Sequence, residues 1–306
     1  MAEQRLNIVT GAFGYTGKYI TRRLLARGAR VRTLTWHPQK NEFSGQVEAV
    51  PFDFTRPDKL RDKLKGADVF FNTYWIRFPR GKKTFEKAVE HTKVLIDAAR
   101  QAGVGRFVHI SITNPSEDSS LPYFRGKAQV EKAIIESGLS YAIIRPAIIF
   151  GREDILINNI AWLLRRLPVF GVIGSGEYRL RPIYVEDLAK LCIEAAHKDR
   201  NMVMDAVGPE TYTFNELVRL LARTVGSRAR ILYVPPWPGY LSAKLLGLLV
   251  KDVLLTRDEI EGLTANLLVT KSPSTGETRL SEWLKENADT VGVRYASELK
   301  RHYRSV

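Results

Sequence analysis

Cysteine is almost absent: Cys192 stands alone in 306 residues. One thiol excludes an internal disulfide framework and suits a reducing compartment. It lies on an apolar helical stretch with Leu188, Leu191 and Ala195, so its expected place is the core. Histidines are few as well, five in all, and no pair has the spacing of metal ligands, so no metal site is expected. No apolar run reaches membrane-spanning length. The longest, residues 240–255, is broken by Lys244, Lys251 and Asp252. Its leucines fall at helical spacing and predict ordinary core packing; a pocket wall, a protein partner or a peripheral membrane contact are the alternatives. Residues 1–5 carry no signal-like apolar segment, and the expected location is the cytoplasm. Acid is scarce against base, with a net charge of +14 and a pI near 9.8. That balance favours anionic ligands through long-range steering. The cations are nevertheless scattered over many segments and match no nucleic-acid-binding motif, so nucleic acid is not the expected partner.

What the chain does have is glycine in a telling place. Asn7-Ile8-Val9-Thr10-Gly11-Ala12-Phe13-Gly14-Tyr15-Thr16-Gly17 is an apolar strand running into three glycines spaced three apart. Glycine costs backbone entropy wherever a side chain would serve. Here one glycine can turn the chain, one can admit a pyrophosphate, and one can let the next helix pack close to the strand. That helix then offers its N-terminal N–H groups to phosphates. The segment after Gly14 has helical spacing in Tyr19, Ile20, Arg23 and Leu24, and Gly28 sits where a helix-ending glycine belongs. A second strand over residues 30–35 completes a β-α-β unit of about thirty residues.

The same rhythm continues. Strands are predicted over 6–10, 30–35, 47–52, 69–72, 107–111 and 141–145, with helices over 84–101 and 122–137 among those between. This alternation predicts an α/β fold with a parallel, doubly wound sheet. After Gly151 the pattern turns mostly helical, with a break at Pro235-Pro236-Trp237-Pro238-Gly239 read as a loop. The expected organisation is a dinucleotide-binding domain over 1–151 and a smaller, helix-rich substrate portion over 152–306. The helix over 183–198 is expected to pack back on the first.

Chemistry enters with Tyr123-Phe124-Arg125-Gly126-Lys127. Tyr and Lys four apart share one helix face, and an ammonium near a phenol favours the phenolate. Ser111, ending the fifth strand, can hold a carbonyl oxygen or alkoxide opposite them. The three make a proton-transfer site beside a hydride-carrying cofactor. Thr113 and Ser116 lie close enough to replace Ser111, and Lys127 could instead be a solvated helix residue. His109, inside a strand, reads as a satisfied core histidine.

These residues, with Asp53, Arg145-Pro146-Ala147-Ile148-Ile149-Phe150-Gly151 and Arg181-Pro182-Ile183-Tyr184-Val185-Glu186-Asp187, resemble a short-chain dehydrogenase/reductase of the extended or atypical kind. The resemblance spans roughly residues 5–225. Phe150-Gly151-Arg152-Glu153-Asp154 followed by Asn158 is similar to the branch holding NmrA-like proteins and the nucleotide-binding accessory subunit of respiratory complex I. It implies a Rossmann sheet in which Gly11, Phe13, Gly14, Tyr15, Thr16 and Gly17 form the pyrophosphate loop. Asp53 and Phe54 would border the adenine, Thr73 the nicotinamide ribose, and Lys127 would reach that ribose's hydroxyls. Pro146 and Ile148 would pack on the carboxamide, Tyr123 would be the general acid/base, and Ser111 the orienter. Asp53 could equally cap the turn that follows it.

An NAD site usually places an acid after the second strand. This chain has Thr35-Trp36-His37-Pro38 there, with Arg32 and Lys40 as further cations, which favours NADP over NAD. Trp75 and Arg181 lie in stretches that the family uses for substrate, and an arginine would suit an anionic group. The expected activity is hydride transfer to or from a small carbonyl or alcohol. The alternatives are a non-catalytic NADP(H)-binding structural or redox-sensing protein and a sugar-nucleotide epimerase or dehydratase.

Overall fold

The computed structural model describes residues 5–303; residues 1–4, within the stretch expected to carry no leader, lie outside the described residues. The chain runs β1 (Leu6–Thr10), α1 (Tyr15–Ala26), β2 (Arg30–Thr35), β3 (Val47–Pro51), α2 (Pro57–Leu64), β4 (Ala67–Asn72), α3 (Phe85–Gln101), β5 (Arg106–Ile110), α4 (Pro122–Glu136) and β6 (Tyr141–Pro146). It continues β7 (Ile149–Phe150), α5 (Leu156–Arg166), β8 (Val169–Ile173), β9 (Arg179–Leu180), β10 (Ile183–Tyr184), α6 (Val185–Ala196) and β11 (Met202–Ala206). The remainder is β12 (Tyr212–Thr213), α7 (Phe214–Thr224), β13 (Arg230–Val234), α8 (Pro236–Val250), α9 (Arg257–Thr264), α10 (Leu280–Glu286) and α11 (Glu298–His302).

Two compact units result: the chain up to Pro146 with Val185–Ala206, and Ala147–Tyr184 with the chain from Val207 on. In the first, seven parallel strands run in the order β11-β6-β5-β4-β1-β2-β3. Helices cover both faces, and accordingly every residue of β1 and β5 is buried, including Asn7, Thr10 and His109. The strand order reverses between β1 and β4, which places the ligand crevice at the carboxyl ends of these two strands. Helix α6 lies on α1, joined by Arg23 to Glu186 at 2.8 Å. The core beneath α2, α3 and α4 is built on Ile8, Leu34, Phe70, Phe107 and Ile143, with Phe70 and Phe107 edge to face at 5.1 Å. Each such buried side chain contributes about 1.5–3 kcal/mol of transfer free energy. Glu131 of α4 is buried and takes Arg145 of β6 in a bidentate pair, which fixes α4 on the sheet.

The second unit has its own core around Phe150, Ile160, Phe214, Leu217 and Trp283. Two sequence expectations fail in it. The proline-rich break is no loop, because α8 starts at Pro236. A first-turn proline lacks only an N–H that has no helical acceptor, so it is tolerated there. Core packing also fails for the leucines of α8, although Leu255 beyond it packs on the core of this unit. In α8 the buried residues are Gly239 and Gly247, while Leu241, Leu245, Leu248 and Leu249 are exposed.

Among the described residues, no helix is long and apolar enough to cross a membrane. Nor does any cluster of His, Cys, Asp and Glu there have the makings of a metal site.

Candidate active site in the first unit

Each glycine of the loop has its own physical reason. Gly11 adopts φ +64°, where a side chain is strained, and turns the chain out of β1. A Cβ on Gly17 would stand 2.2 Å from the Gly11 carbonyl oxygen, so only glycine lets α1 approach the strand this closely. Gly14 is the N-cap of α1, with no capping side chain and no acid in the first turn. That arrangement leaves the leading N–H groups of a helix to an anion. Phe13, Tyr15 and Thr16 complete this loop and the first turn, and Phe13 packs on Phe43 at 6.2 Å.

Beside the loop a chain of buried polar groups crosses the sheet. Thr10 Oγ1 donates to Asn72 Oδ1 at 3.1 Å and accepts from Thr73 N–H at 2.7 Å. Thr73 Oγ1 donates back to the Thr10 carbonyl at 2.5 Å, and in this way Thr73 is locked against the glycine turn. Asn72 Nδ2 then meets His109 Nδ1 at 3.0 Å. With Asn72 Oδ1 accepting from Thr10, its amide donates and His109 Nδ1 accepts. His109 is therefore only half satisfied, because its buried Nε2 has no partner among the described residues. Burial first, and the Lys127 ammonium second, hold this imidazole well below its usual range, so it stays neutral.

Lys127 lies on α4, one turn after Tyr123. It is buried, not solvated, and Nζ donates to the Ile110 carbonyl at 2.7 Å. The same ammonium stands 4.5 Å from the Trp75 ring centroid. Burial lowers its pKa to about 7, against the raising pull of Glu131. Tyr123, one turn earlier on α4, is half-buried and meets Trp75 edge to face at 6.0 Å and Phe85 at 5.7 Å. Trp75 is itself pressed on α4 at Gly126, where a Cβ would come within 3.1 Å of the indole. Ser111 follows Ile110, is 3% exposed, and its Oγ has no partner among the described residues. Trp75 Nε1 is a second such buried orphan. Unpaired buried donors cost about 1–3 kcal/mol each, and a ligand carbonyl or hydroxyl would relieve that cost.

An aromatic wall forms where the resemblance would put the adenine. Trp36 packs on Phe52 at 4.9 Å and on Tyr74 at 5.7 Å; Phe54 stacks on His91 at 3.9 Å. Sequence reading missed Phe52, Tyr74, His91 and Lys83. The Lys83 ammonium stands 5.7 Å from the Trp36 ring centroid, and Lys83 and Lys40 both act on His37. Burial, then these two cations, lower the His37 pKa. Arg32 is engaged elsewhere. The β2–β3 register sets it opposite Glu48, to which it donates at 2.9 Å, and it also reaches the Lys63 carbonyl at 2.6 Å. Asp53 accepts from Thr55 N–H and Oγ1 at 3.1 and 2.6 Å, the turn-capping arrangement, and the Thr55 hydroxyl leads in holding its carboxyl below the usual range.

Pro146 ends β6 in the first unit, while Ile148 belongs to the core of the second. Arg181 is committed to structure: Nε donates to the Gly208 carbonyl at 2.7 Å and an Nη to the Ser272 carbonyl at 2.6 Å. Asp154 and Asn158 are structural as well. Asp154 Oδ1 caps α5 at Ile157 N–H (2.7 Å), and Asn158 Nδ2 donates to its Oδ2 at 2.8 Å.

A dinucleotide fits the first unit on its own geometry: a glycine turn that lets α1 close on β1, a helix N-terminus without acid, and orphaned polar atoms at the strand ends. A family model described as NAD(P)H-binding matches residues 11–157. The chain is 30% identical to subunit 9 of the NADH dehydrogenase [ubiquinone] 1 alpha subcomplex of Mus musculus mitochondria, over 83% of this chain and 70% of that protein. It is 31% identical to the ceramide reductase of Caulobacter vibrioides, over 78% of this chain and 76% of that one. The crystal structure of Citrobacter sp. triphenylmethane reductase complexed with NADP(H) shares the fold, with a TM-score of 0.75 at 17% identity over 92% of this chain and 99% of that one. The glycine loop, the sheet order and these relatives agree, and the chain belongs to the atypical, NmrA-like short-chain dehydrogenase/reductase family that binds NAD(P).

Proposed function

We propose that the protein is an NADP(H)-dependent oxidoreductase acting on a small carbonyl or alcohol, with Tyr123 as proton donor and acceptor. The observation that carries this reading is Lys127, buried one turn from Tyr123 beside the orphaned Ser111 hydroxyl. The bound nicotinamide would supply or take the hydride. In this reading Ser111 Oγ–H donates to a substrate oxygen and Trp75 keeps water from the site. A cationic Lys127 favours the phenolate of Tyr123, which makes its hydroxyl a better acid toward that oxygen. In a Tyr123→Phe variant, turnover of NADPH with a carbonyl substrate should fall by about 10²–10⁴-fold, with dinucleotide binding retained. Wild-type turnover in that variant would remove Tyr123 from its role.

The preference for NADP rests on the cations at the end of β2. His37, Lys40 and Lys83 gather there, and the stretch Thr35-Trp36-His37-Pro38 carries no acid of its own, which suits a 2′-phosphate. Lys83→Ala should weaken NADPH binding by about tenfold and leave NADH unchanged. An equal loss for both, read by quenching of tryptophan emission, would refute the assignment. A second reading follows from the similarity to mitochondrial complex I subunits: a protein that holds the dinucleotide without consuming it. Tight NADPH binding with no oxidation against carbonyl, quinone and sugar-nucleotide panels would select it over the first.

A further inference from the structure

Helix α8 of the second unit is built the wrong way round for a soluble surface. Its two glycines face in. A Cβ on Gly239 would meet Ile173 of β8 at 2.8 Å, and one on Gly247 would meet the Asp252 carbonyl at 2.7 Å. Five of its large apolar residues face out. Trp237, Leu241, Leu245, Leu248 and Leu249 are 71%, 43%, 55%, 68% and 79% exposed. Their spacing of four, four, three and one gathers them on one side of the helix. Leu232 and Tyr233, on the strand β13 that leads into α8, are exposed as well and lengthen the patch. A contiguous apolar surface of this kind marks an interaction site.

The charge of the same stretch of chain says what covers it. From Leu217 to Lys251 the chain has no Asp or Glu, yet it carries Arg219, Arg223, Arg228, Arg230, Lys244 and Lys251. All six are exposed. Lys244 lies within the leucine side of the helix, and Lys251 caps its end. A second copy of this chain would bring the same cations face to face and be repelled. An anionic bilayer answers both features, taking the leucines into its acyl boundary and the cations at its headgroups, with Trp237 at the interface. We infer that the exposed leucine face of α8, with its flanking arginines and lysines, is a peripheral docking surface for an anionic lipid bilayer.

The test is co-sedimentation of the full chain with unilamellar vesicles of phosphatidylcholine, with and without phosphatidylglycerol. The protein should pellet with the anionic vesicles and stay largely in solution with phosphatidylcholine alone. Raising salt to about 0.5 M should weaken but not abolish the association, since screening acts on the cations and not on the leucines. Tryptophan emission should shift to the blue on binding, and Trp237→Phe should remove that shift. Leu245→Glu/Leu248→Glu should lower vesicle affinity by at least about tenfold. These side chains are exposed, so the variant should keep its circular dichroism and its NADPH affinity. No pelleting with anionic vesicles, or pelleting undiminished in the double variant, would overturn the inference. A concentration-dependent dimer that the double variant dissociates, with no vesicle binding by the wild type, would assign the face to a second copy instead.

Discussion

Gly17→Ala should abolish useful dinucleotide binding, lowering NADPH affinity by about 100-fold, or close to 3 kcal/mol. The added methyl would lie 2.2 Å from the Gly11 carbonyl oxygen and 2.8 Å from its carbon, both of them backbone atoms that cannot rotate away. Either α1 moves off β1 or the turn at Gly11 opens, and both displace the N–H groups proposed to meet the phosphates. Overpacking of this kind also costs about 1–3 kcal/mol of stability. A second substitution separates the two effects. Gly28 has φ +72°, but a Cβ there would meet nothing within 4 Å, so Gly28→Ala carries only the left-handed backbone penalty of about 1–2 kcal/mol. Gly28→Ala should therefore lower the melting temperature and leave NADPH affinity intact. Wild-type affinity in Gly17→Ala would show that this loop does not hold the phosphates.

The part of this loop that was legible in the sequence was legible for a local reason. Glycine spacing, strand and helix all lie within one short unit, so steric necessity leaves its mark on adjacent residues. The sheet was readable on the same ground, except at its edge. β11 (Met202–Ala206) pairs with β6 on one side only, and its mix of half-exposed Met and Asp hides it among loop residues. The stretch proposed to border the adenine was read less well. Arg32 is near His37 along the chain, but the β2–β3 register gives it to Glu48. Lys83, from the loop before α3, comes to Trp36 instead, and only the fold brings those two together. The tract around Asp154 and Asn158 gave a family resemblance, while its hydrogen bonds show it capping α5. In α8 the helical spacing of leucines was right and its direction was not. Hydrophobic periodicity places a stripe on one face but does not say whether that face is turned toward the core.

Lys127 carries the second large expectation, because its burial opposes stability. Its folded pKa of about 7 lies far below the ordinary lysine value of 10.5. Between those two values the unfolded chain binds the extra proton, so stability rises with pH across that window. Below pH 7 the penalty is fully present, with a ceiling on the order of 5 kcal/mol at about 1.4 kcal/mol per pH unit. Replacing the ammonium by a methionine of similar length removes it, but loses a cation–π contact of about 2 kcal/mol and a hydrogen bond of about 1 kcal/mol. Those losses fall on the Trp75 ring and the Ile110 carbonyl. Lys127→Met should thus be more stable than the wild type by about 1–3 kcal/mol at pH 7 or below, and the gain should vanish near pH 10. Glu131, which pulls the Lys127 pKa upward, keeps its own partner in Arg145, so the acid is not stranded by the change. His109, which the ammonium holds down, should titrate nearer its normal range in the variant while burial still depresses it. If Tyr123 has its proposed role, turnover should be lost in the same protein, because nothing is left to favour its phenolate. Urea unfolding of both proteins between pH 6 and 10 reads the first effect, and NADPH oxidation reads the second. A destabilised Lys127→Met with an unchanged pH slope would mean that the buried ammonium is a structural tie, and the proton-transfer role of this helix face would fall with it.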